Sequence, residues 1–256
     1  MFVKRYGAGS RVIFGLHGWG SDHRVFLPLA RRVPRGFALH GADLPGYGQS
    51  PAPASWSVET VVEEIVENIR RTEAEELTLV GHCSGAIFAY LATERLGAHV
   101  DRLVLLDPYA YVPWYFKIFL FGEIGKRAYF TSFANPIGRR VTNALLNLGV
   151  KTESDMTRSF AEVDHEATYR YLQMLGELEP KIVFKPLPSR IALVYGEHTF
   201  ADVKRSIDFF ARVWPEAERI ELKRAAHLPL TEATEQLKGI LYDETKPASV
   251  LAGERR

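Results

Sequence analysis

Leu77-Thr78-Leu79-Val80-Gly81-His82-Cys83-Ser84-Gly85 is the stretch on which the fold turns. Leu77 to Val80 reads as a short buried strand, and Ser84 to Leu96 reads as a helix stopped by Gly97. Between them lies a turn with Gly81 and Gly85 on either side of Cys83. A strand that passes directly into a helix is crowded, so the flanking positions must be small. The central residue is lifted above the sheet, over a helix N-terminus that favours an anion. A frame centred on Ser84 would need glycine at His82 and Ala86, so the candidate nucleophile is Cys83. Ser84 is expected to contribute its backbone N–H to an oxyanion hole.

Outward from this turn, apolar runs alternate with segments of helical period, the pattern of a mostly parallel sheet with helices on both faces. Arg11 to Leu16 reads as a strand ending in His17-Gly18-Trp19-Gly20. Another strand starts at Phe37 to Leu39 and leads into Asp43-Leu44-Pro45-Gly46-Tyr47-Gly48-Gln49-Ser50. Ser57 is a candidate N-cap for a helix with Val58, Val61, Val62, Ile65, Val66 and Ile69 on one face. Leu103 to Leu106, Ile191 to Tyr195 and Arg219 to Leu222 read as further strands. From Tyr109 to about Pro188 no strand is evident and several amphipathic helices are, one with Val141, Ala144, Leu145 and Leu148 on its apolar face. Expected boundaries are therefore an α/β core over 1–108 and 189–245, a helical cap over 109–188 inserted between two sheet strands, and a disordered tail over 246–256.

Lys plus Arg number 32 against 31 Asp plus Glu among 256 residues, a balance that does not suggest a nucleic-acid partner. The single cysteine excludes an intramolecular disulfide and two-cysteine redox chemistry. Met1 to Tyr6 lacks the apolar stretch of a signal peptide, and no uncharged apolar run is long enough to cross a bilayer. The expected location is cytoplasmic, without membrane insertion. Neither a clustered His/Cys ligand set nor a dinucleotide fingerprint is evident, so no metal or organic cofactor is expected.

With these motifs in place the chain resembles the α/β-hydrolase superfamily over nearly its whole length. The resemblance implies that His17-Gly18-Trp19-Gly20 is the oxyanion loop, with Trp19 giving the second backbone N–H, and that Ala225-Ala226-His227-Leu228-Pro229 presents the catalytic histidine. His17 is read as orienting its own loop. Two stretches, Leu16 to Gly20 and Trp214 to His227, are most similar to the carboxylesterases of biotin synthesis, which demethylate a carrier-bound acyl ester with a serine where this chain has Cys83.

The family's acid usually follows the penultimate strand, where this chain has Gly196-Glu197-His198-Thr199-Phe200, and Thr199 cannot stabilise an imidazolium. Asp107, at the end of the strand after the nucleophile helix, is favoured over Asp202, because a strand end fixes geometry better than a loop. Glu197 is a weaker candidate. A Cys83–His227 dyad is a third reading, since a free cysteine thiol already ionises near pH 8.5.

Tyr109, Trp114, Tyr115, Phe116 and Phe119 crowd the start of the insertion. They read as cap core or as the wall of an apolar acyl pocket, with His82, Tyr109, Trp114 and Phe116 as the candidate substrate contacts. Lys126, Arg127, Arg139 and Arg140 read as a solvated face or as a seat for an acidic carrier. A membrane-surface role is a further reading, though no cationic amphipathic helix is read there. The expected function is hydrolysis of an ester or thioester of an apolar acyl group through a Cys83 acyl-enzyme, with a small-molecule or carrier-bound substrate. An acyltransferase using the same intermediate and a non-enzymatic binding protein are the alternatives.

Overall fold

A computed structural model describes residues 1–243 except Arg32, Gly149, Lys151 and Glu153. The tail expected over 246–256 lies outside the described residues.

Seven strands form one sheet in the order β1-β3-β2-β4-β5-β6-β7. They are β1 (Val3–Gly7), β2 (Arg11–Leu16), β3 (Phe37–Ala42), β4 (Glu76–His82), β5 (Arg102–Leu106), β6 (Arg190–Gly196) and β7 (Glu218–Leu222). Only β1 is antiparallel to its neighbour. The central strands β2, β3 and β5 are buried almost throughout, because helices cover both faces of the sheet.

Alternate strand residues feed two separate cores. Val12, Phe14, Leu79, Leu103, Leu105 and Leu193 point to one face, with α2 (Val58–Arg70), α3 (Gly85–Leu96) and α8 (Ala201–Val213). Ile13, Leu39, Val80, Val104 and Val194 point to the other, against α1 (Leu27–Ala30), α9 (Pro229–Glu232) and α10 (Thr234–Leu241). Ser57 caps α2 as its side chain suggests, accepting the Thr60 N–H at 3.2 Å. Val61, Val62, Ile65, Val66 and Ile69 are buried on that helix.

The chain between β5 and β6 is helical: α4 (Trp114–Lys117), α5 (Gly122–Tyr129), α6 (Pro136–Asn147) and α7 (His165–Leu178). It carries its own aromatic core of Tyr129, Phe133, Phe160 and Tyr169. The apolar face read over α6 turns outward. Val141, Ala144, Leu145 and Leu148 do share a face of α6, but all four are exposed. The helical period shows which residues lie together and not which way they point.

Candidate active site

Trp19, Cys83, Asp107, Thr199 and His227 all lie in loops that follow the carboxyl ends of parallel strands. Parallel sheets gather their loops at this edge, and the adjacency of β2, β4, β5 and β6 brings four of those loops together.

Cys83 has a φ of +54°, in the left-handed region that non-glycine residues rarely adopt. The flanking glycines are required sterically. A Cβ on Gly81 would lie 2.5 Å from the Gly85 carbonyl oxygen, and one on Gly85 would run into the carbonyl oxygens of Leu16 and His17. The loop after β2 therefore passes directly over the turn; a Cβ on Gly18 would stand 2.9 Å from Cys83 Cβ. His17 is fixed in one tautomer, its Nδ1–H donating to Gly18 O at 2.8 Å and its Nε2 accepting the Leu44 N–H at 3.0 Å. That supports the orienting role read for it.

Asp107, at the end of β5, is completely buried and has a φ of +44°. Its carboxylate is satisfied by three donors: His227 Nδ1–H to Oδ2 at 2.9 Å, Thr199 Oγ1–H to Oδ2 at 2.5 Å, and Gly196 N–H to Oδ1 at 2.9 Å. Thr199 thus stands beside the carboxylate that faces His227. The rival acids lie elsewhere. Asp202 accepts from Tyr111 Oη–H at 2.9 Å and Arg205 at 3.0 Å, and Glu197 accepts the Arg224 N–H at 2.9 Å. Asp202 lies in α8 and Glu197 in the turn after β6, and neither shares a hydrogen bond with the imidazole among the described residues.

His227 is enclosed by Phe200, His82 and Tyr109, with ring centroids 5.1, 5.5 and 5.6 Å away. Burial alone would lower its pKa. A negative charge on the Cys83 sulfur, and hydrogen bonds to Asp107 and Cys83, outweigh this and push it up to about 10. His82 responds in the opposite sense. Burial and then the charge of His227 lower it to about 4, so it is neutral at ordinary pH and its Nε2–H donates to the His227 carbonyl at 3.0 Å.

Two contributors gave no sequence signal. The first is the side chain of Trp19. Its Nε1–H donates to Thr168 O at 2.8 Å, and its ring lies 5.0–5.2 Å from Phe116, Phe133 and Phe160, tying the loop after β2 to the insertion. The second is Glu232. Its Oε2 accepts the N–H groups on both sides of His227, Ala226 at 2.8 Å and Leu228 at 3.2 Å, while Oε1 accepts Thr152 and Ser154 hydroxyls at 2.7 Å. Burial would raise this carboxyl, but the four donated hydrogen bonds bring it below the usual carboxylate range. Glu232 therefore clamps the histidine loop to the insertion. Glu232→Ala should lower kcat about tenfold to a hundredfold with KM little changed, because a small displacement of the imidazole is costly. Equal changes in kcat and stability with an unaltered pH profile would reduce Glu232 to a structural strut. Another buried acid, Asp43, accepts the His23 N–H and Nδ1–H and the Gln49 N–H, and so ties the loops after β2 and β3 together.

Cys83, His227, His82, Tyr109 and Phe116 all border one cavity of about 590 Å³, together with Trp19 and Ser84. Its remaining walls are largely apolar, among them Ile87, Phe133, Phe160, Leu172 and Leu175. Trp114 is the exception among the expected contacts. It opens α4 just after Pro113, is 72% exposed, and does not border the cavity.

Residues 13–238 match the family described as Alpha/beta hydrolase family. The chain is 37% identical over 111 residues to an AB hydrolase superfamily protein, YisY, of Bacillus subtilis (strain 168), covering 42% of this chain. It spans about two fifths (41%) of that relative's length. It is 23% identical to a pimeloyl-[acyl-carrier protein] methyl ester esterase of Klebsiella pneumoniae (strain 342), over 87% of this chain and 89% of that one. Among solved structures, a thermophilic esterase from Thermogutta terrifontis superposes with a TM-score of 0.74 at 15% identity, covering 94% of this chain and 91% of the other.

Proposed function

Because this chain belongs to the alpha/beta hydrolase family, we propose that it is a hydrolase of esters or thioesters with an apolar acyl group, working through a Cys83 thioester. The observation that carries this is the position of His227, held by Asp107 at 2.9 Å and raised to about 10 by Cys83, at the edge of an apolar cavity. An imidazole held beside a thiol can take its proton as the sulfur attacks and give it to the leaving group.

In the proposed reaction the Cys83 sulfur attacks the acyl carbonyl carbon and a C–S bond forms. The carbonyl electron pair moves to oxygen, which the backbone N–H groups of Trp19 and Ser84 receive. The bond from the acyl carbon to the leaving oxygen of an ester, or sulfur of a thioester, then breaks, and His227 gives its proton to the departing alkoxide or thiolate. The acylated sulfur no longer carries charge. The largest influence raising His227 is gone, leaving burial opposed by Asp107 alone. The ring is now neutral and accepts a proton from water as the hydroxyl adds to the thioester carbonyl. The thiolate leaves, the acid departs and the ion pair re-forms. Acylation thus switches His227 from acid to base through the sulfur's own charge. The insertion serves as the cap over this chemistry, its apolar wall holding the acyl chain.

The sign of the pH dependence follows. In the free enzyme the proton on His227 is needed for the leaving group, so kcat/KM should fall as pH rises through about 10.

A series of p-nitrophenyl esters from acetate to decanoate tests the substrate class. Each methylene buried in the cavity should raise kcat/KM about threefold to fourfold until the space is full. A flat series, or one that falls from acetate onward, would refute the apolar acyl assignment. Acceleration of turnover by an added alcohol, with an ester as product, would make the enzyme an acyltransferase.

A further inference from the structure

Helix α6 is amphipathic in the reverse sense. A helix on a soluble protein turns its apolar stripe inward and its polar face to water. Ile137, Val141 and Leu145 on α6 and Leu148 at its C-cap fall at i, i+4, i+8 and i+11, and are 72%, 56%, 63% and 85% exposed. Much of the side that meets the protein is polar. Thr142 Oγ1–H donates to Ser132 O at 3.3 Å, Asn143 Oδ1 accepts the Met156 N–H at 2.9 Å, and Arg139 donates to the carbonyls of Phe133 and Ala134 at 3.1 and 2.9 Å. These bonds fix the helix in its orientation.

The apolar exposure is concentrated. Eight of the ten large apolar side chains exposed among the described residues lie between Trp114 and Leu148; besides the α6 stripe they are Trp114, Ile118, Phe121 and Ile124. The same stretch carries five basic residues, Lys117, Lys126, Arg127, Arg139 and Arg140, against one acid, Glu123. Arg127 and Arg140 are exposed, and neither forms an ion pair among the described residues. Arg140 flanks the stripe on the helical wheel.

We propose that this face of the insertion rests on an anionic lipid surface, α6 lying along the headgroups with its aliphatic stripe turned into them. Aliphatic and aromatic side chains bordered by arginines are what such a surface binds. A second copy of the chain fits less well, since a two-fold contact would oppose identical basic groups. The attachment is peripheral; no helix among the described residues is long and apolar enough to cross a membrane. It also has a consequence for access, because Leu146, on the inner side of the same helix, borders the cavity that holds Cys83.

Sedimentation of the purified full chain with vesicles tests this without reference to catalysis. The chain should pellet with phosphatidylcholine–phosphatidylglycerol vesicles, more weakly with phosphatidylcholine alone, and less as salt is raised. Arg127→Gln and Arg140→Gln should each weaken partitioning about fivefold. The double variant Val141→Asp/Leu145→Asp should abolish it while leaving the circular dichroism spectrum unchanged. The proposal is overturned if anionic vesicles do not bind the chain, if neutral vesicles bind it equally, or if the double aspartate variant binds like the parent. It is also overturned if the chain is a dimer that this variant splits, or if an acidic carrier protein binds the face and vesicles do not.

Discussion

Cys83→Ala removes ester hydrolysis, by a factor on the order of 10⁶ if the nucleophile and its base act as a unit. A second effect separates loss of a nucleophile from general damage. The Cys83 sulfur is the largest influence raising His227, so without it the imidazole is left with burial lowering it and Asp107 raising it. Its titration, followed by NMR of the ring protons, should move down from about 10. Cys83→Ser should shift it in the same direction, because a serine hydroxyl carries no charge at these pH values. Unchanged titration of His227 in both variants would mean that the ion pair does not exist. Hydrolysis surviving in Cys83→Ala would move the chemistry away from the turn after β4.

Asp107→Asn should lower kcat by on the order of 10³ to 10⁴. The substitution keeps the size of a fully buried side chain but removes the charge opposite His227⁺. An amide can also turn its NH₂ toward the ring and favour the wrong tautomer. The alkaline limb of kcat/KM should move to lower pH at the same time, because a contributor that raises His227 has been removed. Thr199→Val should cost far less, since Gly196 and His227 still donate to the carboxylate. Asp202→Asn should leave the rate within about twofold, as its partners Tyr111 and Arg205 are not those of the imidazole. An Asp107→Asn enzyme with near-parental turnover would be running as a Cys83–His227 dyad.

The frame of this site was legible because strand-to-helix turns constrain small residues. Gly81 and Gly85 have no room for a Cβ, and that crowding is written into the sequence around Cys83. The strand-end argument pointed to Asp107 for a related reason: parallel neighbours deliver their last residues to one edge, and Asp107 Oδ2 lies 2.9 Å from His227 Nδ1. Thr199 was harder to read. From sequence it marks the loss of an acid, whereas in the fold its hydroxyl donates to the Asp107 carboxylate, a contact across 92 residues. Glu232 and the Trp19 ring were missed because their roles depend on loops meeting. The hydrogen bonds of Glu232 to Thr152 and Ser154, and of Trp19 to Thr168, follow no local pattern. Periodicity found the apolar face of α6 but carried no information on its direction. Trp114 was placed in the acyl pocket by its aromatic neighbours, yet it stands outside, one position beyond the cavity-lining Pro113.

The proposed chemistry requires a covalent acyl group on Cys83. Mixing the enzyme with excess p-nitrophenyl octanoate, quenching in acid during the first turnovers and measuring intact mass tests it directly. The expected species is heavier by one octanoyl group, mapped to the peptide containing Cys83 and released by neutral hydroxylamine, as a thioester is. Sustained turnover with the acyl group on Ser84, or with no acylated species when release of the acid is slow, would contradict it.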